Sequence, residues 1–178
     1  MRALGIVELN SIAKGIELTD IILKSSEIEI LYSKHTCPGK YMIIITGDVA
    51  SIEEAIDNAM PKGEKNIIGS FILPNAHEDL INGINKKFNI DVKAIGVMEF
   101  TSIASGIIAL DKALKSGQVK IIRFNLGNLI GGKCYFVITG FVSDVEESMK
   151  NAENSIDSKK ILNKIVIPSP DLELTNCL

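Results

Sequence analysis

The sequence predicts an α/β (α+β) protein built from two tandem copies of a ferredoxin-like β-α-β-β-α-β domain. The first observation is an internal repeat: the run ALGIVELNSIAKG at residues 3–15 returns as AIGVMEFTSIASG at residues 94–106. Later matches keep the same order along the chain and include Lys24-Ser25 with Lys115-Ser116, Ile45-Thr46-Gly47 with Ile138-Thr139-Gly140, and Pro74 with Pro168. Ordered self-similarity indicates a duplicated domain. We place the two domains at residues 1–90 and 91–178.

The second observation is the hydrophobic periodicity of the first copy, which assigns its elements in turn. The predicted strands lie at residues 4–9, 29–34, 41–46 and 67–73. The predicted helices run from Asn10 or Ser11 to residue 24, from 49 to 60 and from 77 to 87. In the first helix we expect Ile12, Ile16 and Leu23 on the apolar side. In the second helix the inward positions are Ile52, Ala55, Ile56 and Ala59. Pro74 ends the fourth strand because proline has no N–H for the ladder.

The second copy repeats this layout. Its strands are predicted at residues 95–100, 120–124, 135–139 and 164–167, and its helices at 102–115 and 143–152. Ser143 and Glu146 have the S-x-x-E spacing of a capping box at the start of the later helix. The order of strands and helices is that of a split βαβ unit in both copies.

Charge and composition exclude several classes of protein. The net charge is -3 and no stretch concentrates Lys and Arg, so a nucleic-acid partner is not expected. The longest apolar runs are strand-sized, whereas a membrane-spanning helix needs about 20 apolar residues. The N-terminus runs directly into a strand pattern without a signal-peptide core. These features predict a cytosolic protein whose thiols stay reduced.

Three motifs resemble one known family. The start of each copy, the Gly47-Asp48-Val49 run before the second helix, and the segment from Pro74 to His77 are similar to bacterial microcompartment shell proteins. The segments 36–40 and 131–135 resemble the iron–sulphur trimeric shell proteins of propanediol-utilisation compartments. The resemblance implies a flat pseudohexagonal tile with a central pore. It also implies a homotrimer that contacts other shell proteins and encapsulated redox enzymes.

Cys37 is the strongest candidate for a functional residue. It lies in His35-Thr36-Cys37-Pro38-Gly39 between two predicted strands, where Pro and Gly favour a tight, exposed turn. One chain offers one thiol there, and a cluster needs three or four ligands. A threefold axis supplies three equivalent thiols. We therefore expect one [4Fe–4S] cluster per trimer, bound by Cys37. The alternative is an inert loop thiol.

The two loops between the central strands are predicted to line the pore. In the first copy the lining residues are Thr36, Pro38 and Gly39, and in the second Leu129, Ile130 and Gly131. The second loop is longer and rich in glycine, but it lacks the P-loop spacing and opens no helix.

The remaining candidate residues have more ordinary interpretations. Cys134 is expected in the core, Cys177 has no assigned role, and His77 is read as a helix-start or packing residue. His35 is either a ligand, a donor to the site or, as we favour, a solvated histidine at a strand end. The paired carboxylates Glu8 and Glu99 are expected to cap the following helix or serve an interface.

Four functions remain open from the sequence. They are a shell tile with a redox centre, a shell tile whose pore conducts metabolites only, a small-ligand module on a ferredoxin-like fold, and an enzyme. The enzyme is disfavoured because His35 and Cys37 are the only candidate base–nucleophile pair and no third member is evident.

Overall fold

The chain forms two compact units, residues 1–81 and 82–178, in a computed structural model that describes residues 2–84 and 90–178 apart from the side chain of Thr175. Each unit has the predicted β-α-β-β-α-β order, followed by a short helix. Each contains a four-stranded antiparallel sheet, ordered β2-β3-β1-β4 in the first unit and β6-β7-β5-β8 in the second. The duplication and the ferredoxin-like topology predicted from the sequence are therefore confirmed.

The element bounds are as follows. The strands are β1 (Ala3–Leu9), β2 (Glu29–Thr36), β3 (Lys40–Gly47), β4 (Ile67–Leu73), β5 (Ala94–Phe100), β6 (Lys120–Asn125), β7 (Cys134–Gly140) and β8 (Ile161–Ile167). The helices are α1 (Ile12–Ser25), α2 (Val49–Gly63), α3 (Glu78–Gly83), α4 (Ile103–Ser116), α5 (Val142–Asn154) and α6 (Leu172–Cys177).

Most predicted bounds agree with these to within two or three residues. Helix α2 continues past the predicted end, through Pro61 to Gly63, and β8 begins three residues earlier than predicted. The predicted helix at 77–87 is α3, which ends at Gly83, and positions 85–87 lie outside the described residues.

Glycines let the first helix of each repeat approach its sheet. A methyl group at Gly15 of α1 would lie 2.3 Å from ring carbons of Tyr41 on β3. At the equivalent Gly106 of α4 it would lie 2.3 Å from the Sγ of Cys134 on β7. Side chains in protein interiors are close-packed, so neither site has room for a larger residue. The repeat therefore preserves glycine here while the residue that faces it changes from tyrosine to cysteine.

The predicted apolar side of α1 is wrong for this chain taken alone. Ile12, Ile16 and Leu23 are 43%, 58% and 51% exposed, and α1 buries Gly15, Leu18 and Ile22 instead. The inward predictions for α2 are confirmed, because all four residues are buried. Periodicity locates apolar positions on a helix, but it does not distinguish a face covered by the same chain from one left open.

The same three positions are buried in the second repeat. Ile103, Ile107 and Leu114 of α4 occupy the places of Ile12, Ile16 and Leu23, and each is at most 5% exposed. The two equivalent apolar stripes therefore differ in exposure.

The helix caps also differ from the prediction in one place. Ser11 and Ser102 cap α1 and α4, and Asp48 caps α2. The predicted capping box at Ser143 is wrong, because α5 begins one residue earlier at Val142 and its N-cap residue is Phe141, which offers no side-chain acceptor. A missing acceptor at an N-cap costs about 0.5–2 kcal/mol. The Phe141 side chain therefore does not stabilise the start of α5 as a cap.

Candidate metal centre

Cys37 lies at the tip of a tight turn between the two strands that form the hairpin of the first unit. The turn is closed by a 3.0 Å hydrogen bond that the Gly39 amide donates to the Thr36 carbonyl, and the Cys37–Pro38 peptide is cis. Gly39 has φ of +94°, a conformation that favours glycine. The Cys37 thiol is partly exposed, and Pro38 and Gly39 are exposed. The predicted tight turn with an accessible thiol is confirmed.

Side-chain contacts are found at the base of the turn, at Thr36 and Lys40. The Lys40 ammonium donates a 2.8 Å hydrogen bond to Glu8 of the neighbouring strand β1. Thr36 is 2% exposed, so its side chain is directed inside the chain rather than toward solvent, and its hydroxyl has no partner in the structure. The strand ends at Thr36, which leaves Cys37 in the turn itself.

The equivalent loop of the second unit has another conformation and no cysteine. Four of its residues adopt positive φ, namely Gly127, Leu129, Gly131 and Gly132. Asn125 anchors the loop, since its side-chain oxygen accepts a 3.1 Å hydrogen bond from the Asn128 amide. Leu129 is 94% exposed at the tip. This loop places an apolar side chain where the first unit places a thiol.

Glu8 and Glu99 do not cap helices, because Ser11 and Ser102 occupy those positions. Each glutamate instead pairs with a lysine that directly follows the hairpin loop, Lys40 in one unit and Lys133 in the other. The capping expectation is therefore wrong. The repeat contains a signal for this pairing, because a glutamate and a lysine occur at the same two positions in both copies. Sequence alone does not show that these two positions are neighbours on adjacent strands.

Neither histidine belongs to a group of possible metal ligands among the residues that the structure describes. His35 is exposed near the end of β2, as the favoured interpretation predicts. His77 lies at the start of α3, where its Nδ1 accepts a 3.1 Å hydrogen bond from the Asp79 amide and its carbonyl accepts one from Ile81. The helix-start interpretation of His77 is thus confirmed.

The other two cysteines have different surroundings from Cys37. Cys134 is fully buried against Gly106, and burial raises the pKa of its thiol. A buried neutral thiol is a poor metal ligand, because thiolate is the form that binds metals. Cys177 is exposed in the short helix α6 at the C-terminus.

Metal-ligating side chains occur near Cys37 and elsewhere in the part of the chain that the structure describes. Within residues 2–84 and 90–178, no three His, Cys, Asp or Glu side chains are grouped closely enough to hold an ion. Cys37 is therefore a partly exposed thiol on a defined turn, without a group of further ligands beside it among the described residues.

Comparison with known proteins explains why the same fold occurs twice. The family model of the BMC domain matches residues 3–76 and residues 94–170. This chain belongs to the bacterial microcompartment shell protein family. It is a tandem-domain shell protein, with one BMC domain in each unit.

Named relatives agree with this assignment. The shell protein is 39% identical over 171 residues to the bacterial microcompartment shell protein PduT of Citrobacter freundii, a match that covers 95% of this chain and 93% of PduT. It is 26% identical to the carboxysome assembly protein CcmO of Synechococcus over 99% of this chain and 68% of CcmO. The crystal structure of a microcompartment protein from Desulfitobacterium hafniense DCB superposes with a TM-score of 0.95, at 38% identity and 99% coverage of both chains.

These relationships establish the general function. The shell protein is a structural subunit of a bacterial microcompartment shell, and the shell is where it resides. Its homologues are structural proteins, which favours a structural role over catalysis. In the part of the chain that the structure describes, none of the helices is both long enough and apolar enough to cross a membrane.

Proposed function

We propose that three copies of this chain form a ring of six BMC domains around a central pore, and that three Cys37 thiolates bind one [4Fe–4S] cluster at the threefold axis. The cluster would carry electrons across the shell. The observation that supports this most strongly is the difference between the two hairpin loops: the loop of the first unit carries a partly exposed thiol, Cys37, and the equivalent loop of the second unit carries no cysteine.

The exposed apolar face of α1 supports the ring. Ile12, Ile16 and Leu23 form a stripe that is open in the chain, although the equivalent stripe on α4 is buried. Burying a fully exposed Ile or Leu side chain contributes about 1.5–3 kcal/mol. Ile12, Ile16 and Leu23 are each about half-exposed, so covering all three favours association by about half of that figure per side chain. We expect a second copy of the chain to cover this stripe, because both domains of that copy have the same fold and expose similar surfaces. Closed cyclic symmetry is the usual result of such contacts.

Six similar domains per ring correspond to three chains of two domains each. A solved relative described as a fused permuted hexameric shell protein shares this fold with a TM-score of 0.63, at 19% identity. The duplicated chain would then give a pseudo-sixfold ring whose true symmetry is threefold. Residues of the first unit, including Cys37, would occur three times around the axis.

The chemistry of the turn fits an iron–sulphur cluster. Thiolate is the protein ligand that such clusters require, and three thiolates would bind three of the four irons. The fourth iron would be left for water, a small ligand or a loop group. Cys37 lies in a short turn closed by the hydrogen bond from the Gly39 amide to the Thr36 carbonyl, so its position does not depend on a long loop. When bound, the cluster supplies one-electron transfer.

The pore in this proposal is lined by Pro38 and Gly39 from the first unit and by Leu129, Ile130 and Gly131 from the second. Thr36, which the sequence also predicted to line the pore, is left out because its side chain is buried within the chain. Leu129 is exposed on its loop and would present an apolar surface to the axis. Such a surface would restrict water beside the cluster. In the same proposal the electron partners are redox enzymes inside the compartment.

Iron and acid-labile sulphide analysis tests the proposal. Protein purified and reconstituted without oxygen is expected to hold about four irons and four sulphides per three chains and to be brown. An incompletely ligated iron is labile, so aerobic protein is expected to contain less. Colourless anaerobic protein with background iron would contradict the cluster and favour a shell pore that conducts metabolites only.

A further inference from the structure

Three hydroxyl groups form a connected line beside the Cys37 hairpin in the first unit. The Tyr41 hydroxyl on β3 is 3.0 Å from the Ser33 hydroxyl on β2. The Ser33 hydroxyl is 2.8 Å from that of Thr19 on α1, which in turn donates a 2.8 Å hydrogen bond to the Gly15 carbonyl. These three side chains, here called the hydroxyl triad, connect both strands of the hairpin to one helix.

The direction of the hydrogen bonds in the triad follows from counting protons. A hydroxyl group has one proton to donate. The Thr19 proton goes to the Gly15 carbonyl, so Thr19 accepts from Ser33. Ser33 has then donated its own proton, so it accepts from Tyr41. The Tyr41 hydroxyl is therefore the first donor of the triad, and a backbone carbonyl of α1 is the last acceptor.

The Tyr41 ring also packs directly on α1. Tyr41 is 7% exposed, and a methyl group at Gly15 would lie 2.3 Å from two of its ring carbons. Tyr41 thus contacts the helix in two ways, by its ring and, through Ser33 and Thr19, by its hydroxyl. An unmade hydrogen bond is costly at a buried hydroxyl, so this arrangement favours one orientation of the hairpin on α1.

The second repeat has no hydroxyl triad. The residues at its three positions are all buried, namely Leu110, Phe124 and Cys134. Leucine and phenylalanine side chains offer no hydrogen-bonding group, so the triad belongs to the repeat that carries Cys37 and not to the other. The second unit has the same sheet order without it. The fold itself therefore does not require the triad.

Cys37 lies midway along the chain between two members of the triad. It follows Ser33 by four residues and precedes Tyr41 by four. The hydrogen bond between Ser33 and Tyr41 joins the strand that enters the turn to the strand that leaves it. A set of ligands works only when each is held to within about 0.5 Å of its place. The triad therefore acts where the position of the thiol is decided.

We infer that the hydroxyl triad positions the Cys37 thiol relative to α1, so that the helix proposed to contact the neighbouring chain also sets the spacing of the three thiols at the axis. For its effect on iron, this inference rests on the proposed ring and cluster. The members of the triad are positioning residues and not ligands, because they act on the metal only through the hairpin. A hairpin released from α1 would still fold, but its thiol would no longer be held in one place.

Removing single hydroxyl groups from the full chain tests the inference. Tyr41→Phe keeps the ring against Gly15 and removes the first donor, and Ser33→Ala removes the middle link. In metal-free protein, hydrogen exchange of the peptide that contains the Cys37 turn is expected to rise about three- to tenfold in each variant, as for the loss of one net hydrogen bond. The mass of the assembly should stay that of the wild type. Tyr135→Phe, the same change on β7 of the second unit, is the matched control and should leave this exchange unchanged.

Protein reconstituted without oxygen supplies a readout that a general loss of stability would not move. Tyr41→Phe and Ser33→Ala are each expected to release iron to a chelator about three- to tenfold faster than the wild type. The electron paramagnetic resonance signal of the reduced cluster should broaden, because the thiols are held less uniformly. The double variant should show no larger effect than either single one, since one break already interrupts the triad.

The outcomes separate this inference from the proposed cluster. Wild-type exchange at the turn in both single variants, or effects that add in the double variant, would overturn the positioning role. Faster exchange in the variants of a protein that binds no iron would support the link between α1 and the hairpin and contradict the cluster. Normal iron binding with unchanged exchange would support the cluster and contradict the positioning role alone.

Discussion

Replacing Cys37 with serine is expected to reduce bound iron to background and abolish the visible absorbance, while the mass of the assembly and the unfolding midpoint stay unchanged. The loss should be complete rather than partial, because threefold symmetry removes all three thiolates with one substitution. The fold should tolerate the change, since the thiol is partly exposed and the turn is held by backbone and by the Lys40–Glu8 pair. Iron analysis of anaerobically reconstituted protein measures the effect.

The other two cysteines provide matched controls for this substitution. Cys134→Ser and Cys177→Ser are both expected to keep the cluster. Cys134→Ser should lower stability by about 1–3 kcal/mol, because a hydroxyl replaces a thiol that is fully buried. Wild-type iron content in Cys37→Ser, or its loss in Cys177→Ser alone, would show that the ligand has been assigned to the wrong residue.

Introducing a charge on the open face of α1 is expected to dissociate the ring. Ile16 lies in the middle of the exposed stripe, and Ile16→Asp would place a carboxylate among the apolar side chains of the proposed interface. We expect the dissociation constant between chains to rise by more than about 100-fold, which corresponds to about 3 kcal/mol. Light scattering at micromolar concentration should then show monomers.

The conservative substitution Ile16→Val distinguishes an effect on the interface from an effect on folding. Ile16→Val keeps the stripe apolar and should keep the wild-type mass. Far-UV circular dichroism of Ile16→Asp should match the wild type, since the residue is 58% exposed within the chain. A wild-type mass for Ile16→Asp would mean that the stripe is not a contact between chains.

The sequence predicts the topology well because each element has its own local hydrophobic pattern and because that pattern occurs in both repeats. Each strand and helix appears twice, so an ambiguous segment in one copy is supported by its counterpart in the other. The turn at Cys37 follows from proline and glycine, whose backbone preferences do not depend on distant contacts. The core position of Cys134 follows from residue type, because free cysteine is usually buried. Gly106, against which Cys134 packs, recurs in the repeat as Gly15.

The errors arise where the answer depends on neighbours that periodicity does not identify. Ile12 and Ile103 have the same pattern around them, yet only Ile103 is buried within the chain. The capping box at Ser143 fails because the helix start moves by one residue, which turns a cap into a first-turn residue. The pairing of Glu8 with Lys40 needs the register of two adjacent strands, which no single segment contains.

Native mass spectrometry of protein prepared without oxygen tests the central claim most directly, because it reports the number of chains and the bound cluster in one measurement. The predicted result is a single species of three 19.3 kDa chains carrying the mass of one [4Fe–4S] cluster, and the same trimer without that mass for Cys37→Ser. A monomer, or a trimer whose bound iron survives Cys37→Ser, would contradict the account.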